Sequence, residues 1–385
     1  MKIVEVKPIL IDRYLFVSVT TDTGIVGLGE SGVWGFLEAS AEVIRKFGDY
    51  LIGKDPLKIE HHWQYLYRAT HFKGAVIMGA LSAIDIALWD IAGKHHGVPV
   101  HALLGGAVRD RVRAYHHTFG STRADIVEAI KAAKDAGFTA VGHLTPFLDE
   151  SRDVPYSATH VHKISDAIDA VGQYRDAVGH DVDLCIEIHR RLTPAEAVEL
   201  GNGIAQFRPL FYEDPVMMDN IDDMAYVANK IDIPIATGER YTSLWDFAML
   251  LRRDGAQYFR PDVCLVGGIT GAKKIAALAE AHHIGIVPHN PLGPISTIAC
   301  THLAAAIPNF TIQEYPSSTW SSFVNRPSES ALINGSAEHD GHGYLVVPQE
   351  PGLGVSLKES AAEEWPYRPR PVDARLHVDG SVVDQ

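Results

Sequence analysis

The chain has 385 residues, with 34 Lys or Arg against 48 Asp or Glu and a formal net charge of −14. That length suits a large core and two closely joined domains, and an acidic balance without long charge runs argues against nucleic acid and anionic membranes as partners. Three cysteines, Cys185, Cys264 and Cys300, lack any CxxC spacing, which leaves neither a disulfide framework nor a zinc knuckle.

Residues 1–6 alternate like an edge strand and lack the apolar core of a secretion signal. Strand patterns run on to residue 30, with a turn at Thr23-Gly24, and helical patterns follow from 36 to 105. The longest apolar run, 75–93, is interrupted by Asp85 and Asp90, two carboxylates that would be costly inside a bilayer. A buried helix of a cytoplasmic protein is the expectation.

From residue 112 the rhythm changes. β-Branched segments appear near 112–116, 139–144, 183–189, 210–213, 233–236, 257–260, 284–288 and 311–314, separated by stretches of helical period such as 125–136, 194–206 and 272–282. This α/β alternation predicts a (β/α)7β modified TIM barrel. The expected layout is an α+β capping domain over 1–112, a barrel over 113–320 and a tail over 321–385 that packs on the capping domain. Extra sequence at 146–158 falls after the second strand, where active-site loops belong.

Three predicted strand ends carry a glutamate: Glu187, Glu213 and Glu239, spaced 26 residues apart. Carboxylates delivered at the same point of successive strand-helix units converge, and an oxygen-only trio suits a hard cation such as Mg²⁺ better than Zn²⁺. Strand alternation places Cys185, Glu187 and His189 on one face. Further on, Asp262 ends the sixth strand and His289 the seventh, so Asp262 is placed to accept from one imidazole nitrogen and raise the basicity of the other. Glu314 ends the eighth strand, with either a hydrogen bond to substrate or a helix cap as its role. His160-Val161-His162 lies in a helical stretch where i and i+2 diverge, and it reads as surface or packing, as do His61-His62, His95-His96 and His282-His283. Lys273-Lys274 reads as a solvated pair.

The segments Gly48-Asp49-Tyr50-Leu51-Ile52-Gly53-Lys54-Asp55-Pro56, Ala87-Leu88-Trp89-Asp90-Ile91-Ala92-Gly93-Lys94, Ala236-Thr237-Gly238-Glu239-Arg240 and Pro288-His289-Asn290-Pro291-Leu292-Gly293-Pro294-Ile295 resemble galactonate dehydratases. His189-Arg190-Arg191-Leu192-Thr193-Pro194 is similar instead to mannonate dehydratases. On these motifs the chain resembles the acid-sugar dehydratases of the enolase superfamily over nearly its whole length. The resemblance implies one Mg²⁺ per site on Glu187, Glu213 and Glu239, removal of the proton α to a substrate carboxylate by His289 with Asp262, and protonation of the departing 3-hydroxyl by His189. It implies a lyase of carbohydrate catabolism that turns an aldonate, such as galactonate, gluconate, mannonate or arabinonate, into a 2-keto-3-deoxy acid. The partner expected is a small acid sugar, and the assembly a homo-oligomer.

By the same likeness the capping domain closes over the barrel, making Trp34 a candidate lid residue; His143 and Tyr315 are further candidate substrate contacts, and Tyr156 a second acid/base group. Two departures stand out. The first metal ligand is usually Asp and here is Glu187, and the second strand, Val141-Gly142-His143-Leu144-Thr145, lacks the Lys a racemase would need. An epimerase, a lactone cycloisomerase and a catalytically silent sugar-acid-binding homologue remain the alternatives.

Overall fold

The computed structural model describes the chain except residues 149–152, 317–324 and 384–385. Strands β1 (Ile3–Ile11), β2 (Tyr14–Thr21) and β3 (Val26–Ser31) form an antiparallel sheet, followed by helices α1 (Leu37–Leu51), α2 (Ile59–Ala69), α3 (Ala75–His96) and the short α4 (Val100–Leu103). Among the described residues α3 alone is long and apolar enough to cross a membrane, but most of it is buried inside the protein. Its two carboxylates act as internal staples. Asp85 accepts from the Thr270 backbone N at 3.0 Å. Asp90 accepts from the backbone N of Leu28 at 2.9 Å and of Leu353 at 2.8 Å, and pairs with Lys94 at 2.7 Å. Buried polar groups persist when so satisfied.

Eight parallel strands then form the barrel: β4 (Arg111–His117), β5 (Ala140–Leu144), β6 (Asp183–Glu187), β7 (Phe211–Glu213), β8 (Ile235–Thr237), β9 (Tyr258–Phe259), β10 (Gly285–Ile286) and β11 (Gln313–Tyr315). They pair in chain order and β11 pairs back on β4; a bridge between Ile286 and Phe310 closes the ring. The intervening helices are α5 (Arg123–Asp135), α6 (His160–Val178), α7 (Pro194–Ile204), α8 (Ile221–Ala228), α9 (Leu244–Arg252), α10 (Gly268–Glu280) and α11 (Pro294–Ala306). Thr122, Thr193 and Ser243 start α5, α7 and α9 through reciprocal capping boxes, so the loops at the catalytic end are pinned. Tyr115, Cys185, Phe211 and Val287 are among the side chains that fill the barrel interior.

The strands are shorter than the apolar runs that signalled them. β6 stops at Glu187 because His189 (φ 54°) and Arg190 (φ 63°) take left-handed backbone conformations. The tail also departs from expectation, because it holds both domains. Tyr344–Val346 pairs antiparallel with the start of β4 in the barrel, while Arg368 reaches Asp12 in the capping sheet. Beyond it, Val383 N donates to Arg375 O at 2.9 Å, and Tyr156 N donates to Leu376 O at 2.9 Å. The last turn of the chain is thereby laid on the inserted segment. The expected boundary near Trp320, and part of the insertion, lie outside the described residues.

Candidate active site

Glu187, Glu213 and Glu239 come together at the carboxyl end of the barrel, each offering an oxygen within 4.8 Å of the others. An octahedral ion with oxygens at 2.1 Å spans about 4.2 Å between opposite ligands, so the trio is close to cation-binding size. Equal spacing in sequence hides unequal placement. Glu187 and Glu213 are register partners, but Glu213 pairs with Ala236, and Glu239 lies two residues beyond the end of β8. Gly238 makes the difference at φ 137°; a Cβ there would meet Phe247 at 2.6 Å. Only glycine fits that bend.

Two arginines without an assigned role in the sequence hold this cluster. Arg260, fully buried, lies against Glu213, reaches Glu314 at 2.6 Å and donates to the Tyr115 hydroxyl at 2.9 Å. Arg190 bridges Asp214 at 2.9 Å and Glu239 at 2.6 Å. Four carboxylates thus meet two guanidinium groups, with Glu187 beside them. Burial and the charge of Glu239 push Glu187 up to about 7. Burial likewise holds Glu213 well above the carboxylate range despite Arg260, and neither of its oxygens receives a hydrogen bond of ordinary geometry. For Glu239 burial acts in the same sense, but Arg190, with His289 and His189, outweighs it and holds the group low. Closely packed buried carboxylates, more of them than the two guanidinium groups can neutralise, are what a divalent cation would relieve, so the donor set fits Mg²⁺.

The two candidate proton carriers face each other across the mouth. His189 follows β6 and His289 follows β10, four places apart in a ring of eight strands. His289 Nδ1 lies 2.8 Å from Asp262 Oδ2, and its Nε2 lies 3.5 Å from Glu239. Burial disfavours charge on His289, but Glu239, Glu314 and Asp262 outweigh it and raise the group to about 9. The His189 backbone N donates to Glu187 at 3.1 Å, and its ring meets His143 edge-on at 4.9 Å. His143 (φ 51°) and Asp214 (φ 39°) join His189 and Arg190 in the left-handed region. Four such non-glycine residues at neighbouring strand ends mark stored backbone strain of the kind that collects at active sites.

These groups open into a cavity of about 1230 Å³, lined by Glu187, His189, Glu239, His289 and Glu314, with His143, Trp34 and Tyr156 also on its wall. Glu314 is fixed from three sides, by Arg260, by His117 at 2.5 Å and by the Asn290 backbone N at 2.7 Å. A helix cap is not what it does. Tyr315 is a correction: it does not line the cavity, and its ring stacks beside Phe138 and His339 instead. Strand alternation turns it outward once Glu314 points in. His162, read as surface or packing, sits at the cavity rim, whereas His160 pairs with Glu199 at 3.0 Å. Arg370, Arg375 and His377 from the tail complete the wall, and Arg326 and Arg370 lie 5.6 and 5.0 Å from the Trp34 ring. No periodicity in the tail announced them.

Comparison with known proteins agrees with this geometry. Residues 6–105 match the mandelate racemase / muconate lactonizing enzyme N-terminal domain, and residues 125–361 match the enolase C-terminal domain-like family. A D-galactonate dehydratase of Verminephrobacter eiseniae is 37% identical over 379 residues, covering 97% of this chain and 96% of the relative. One of Ralstonia pickettii is 35% identical over 384 residues, with coverage of 97% and 96%. An Agrobacterium radiobacter enolase bearing the provisional name galactarate dehydratase, crystallised with sodium and L-malate, superposes with a TM-score of 0.91 at 31% identity over 100% of both chains.

Proposed function

This chain belongs to the enolase superfamily, and from that premise we propose that it is a hydro-lyase that dehydrates an acid sugar to a 2-keto-3-deoxy acid. The observation that carries the reading is the facing pair His289–Asp262 and His189, set across one cavity from each other with the three glutamates between them. Glu187, Glu213 and Glu239 would hold Mg²⁺, which supplies charge stabilisation for an enediolate when bound. The residues of the chain do the rest. Asp262, buried and 2.8 Å from Nδ1, fixes the His289 tautomer so that Nε2 faces the cavity and can accept the proton α to the substrate carboxylate. His189, on the opposite side, donates a proton to the leaving 3-hydroxyl. Glu314, immobilised by Arg260, His117 and the Asn290 backbone, is held rigidly at the same wall. A D-galactonate preference is supported by the curated relatives and a diacid by the provisional name of the structural neighbour, so the substrate we favour is a six-carbon acid sugar.

Incubation with a library of aldonates and aldarates, read by formation of 2-keto-3-deoxy product, tests the activity. Histidine variants test the roles. His289→Asn should lose on the order of 10²–10⁴-fold in rate and stop exchange of the α proton with solvent deuterium. His189→Asn should block loss of the hydroxyl while leaving exchange measurable. The opposite pattern would reverse the two assignments, and exchange without dehydration in the native enzyme would favour an epimerase.

A further inference from the structure

Glu30 is the penultimate residue of β3, the last strand of the capping sheet, yet its side chain is fully buried against the barrel. One carboxylate oxygen accepts from the Gly293 backbone N at 2.6 Å and the other from the Ser296 backbone N at 2.9 Å. These amides belong to the turn that carries His289-Asn290-Pro291-Leu292 into α11, where the first backbone N–H groups of a helix lack internal partners. Two residues on, Gly32 N donates to Cys264 O at 3.1 Å. Cys264 N in turn donates to Asp262 Oδ1 at 2.7 Å. Thus one short stretch of the capping domain grips both the loop behind His289 and the loop behind Asp262.

The fit leaves no slack. A Cβ on Gly293 would sit 2.7 Å from Glu30 Oε1, and one on Gly32 would sit 2.9 Å from Leu292 and 3.2 Å from Asp262. The same stretch leads directly into Trp34 on the cavity wall. Burial raises the Glu30 carboxyl to about 8, so a charge or a proton is kept here away from water, compensated by the backbone amides of Gly293, Ile295 and Ser296. A residue used merely to join two domains has no need of so costly a group.

We propose that Glu30 is a positioning residue for the His289–Asp262 pair, coupling the seat of the capping domain to the direction in which the His289 ring points. This rests on His289 being the base. The carboxylate trio sits on β6, on β7 and just past β8, elements to which Glu30 makes no hydrogen bond.

The test uses the full-length protein with Mg²⁺ and Glu30→Gln, which keeps shape but turns an amide NH₂ against a backbone N–H. Misplacing a catalytic group by a fraction of an ångström to one ångström should lower kcat about 10- to 100-fold. KM and Mg²⁺ affinity should stay near those of the native protein, and α-proton exchange should fall in parallel with kcat. If Glu30→Gln does not fold, Gly293→Ala presses the same joint from the other side and should give the same split. A folded variant with native kcat and exchange, whatever its melting temperature, overturns the proposal, and so does a loss confined to KM or Mg²⁺ binding. A native protein that exchanges no α proton would instead remove His289 as base, a separate failure.

Discussion

Arg260→Met offers the most direct reading of the electrostatics at this site. The arginine is 1% exposed and faces Glu213 and Glu314, which are equally sealed from water. Met fills similar volume, so the change removes charge and donors with little cavity cost. Breaking a buried ion pair from one side costs about 3–5 kcal/mol because the partner is left uncompensated. That deficit should appear in chelator-treated protein as a lower urea midpoint at unchanged slope. Mg²⁺ supplies positive charge to the same carboxylates, and a ligand at about 100 times its Kd stabilises by about 2.7 kcal/mol. Since the variant lacks a competing guanidinium, Mg²⁺ should stabilise it more than it stabilises the native protein. Turnover should still fall, because Glu314 loses one of three fixings. If metal-free stability is unchanged, or the Mg²⁺ increment is the same in both proteins, Arg260 does not compensate the trio and the reasoning fails.

Glu213→Gln should abolish stoichiometric Mg²⁺ binding or nearly all turnover; calorimetric titration with Mg²⁺ decides, and native binding with native activity would remove Glu213 from the ligand set. Trp34→Ala should raise KM or alter the ranking of acid sugars while costing at most about 1–2 kcal/mol from its two exposed cation–π contacts. A large drop in melting temperature with unaltered kinetics would make Trp34 a packing residue. Asp85, held by burial at about 7 against an ordinary 3.8, binds more protons folded than unfolded across that window. Stability should therefore fall as pH rises from about 4 to about 7, and Asp85→Asn should flatten that slope in urea midpoints; an unaltered slope would refute the assignment.

The fold was legible wherever the sequence carried a period. β6 and β7 appeared as apolar runs ending in polar residues, and α5 and α7 showed as stretches of helical period at 125–136 and 194–206. The two carboxylates inside α3 argued correctly for burial in protein, although their partners, Thr270, Leu28 and Leu353, are remote in sequence. β9 and β10 have only two residues each, shorter than the apolar segments 257–260 and 284–288 that signalled them. In the tail only the stretch around Tyr344–Val346 is strand-like in sequence, and neither its partner β4 nor the tail's place on the cavity wall left a trace to read.

The site divides along the same line. Residues that act through their own chemistry at a strand end, such as Glu187 or His289, stand out by type and position. Residues that act by compensating another charge do not, because ion pairing leaves no local pattern. Arg190 meets its partners 24 and 49 residues away, and Arg260 meets Glu314 54 residues away. Tyr315 is a different case, since the alternation that placed Cys185 and Glu187 together already put Glu314 and Tyr315 on opposite faces. Glu239 shows the converse. Its spacing from Glu213 matched by coincidence of loop length, and what brings its carboxylate to the trio is the left-handed bend at Gly238, a conformation rather than a count. Substituting Gly238 should therefore damage the metal site as surely as substituting Glu239, through the backbone rather than through any lost donor.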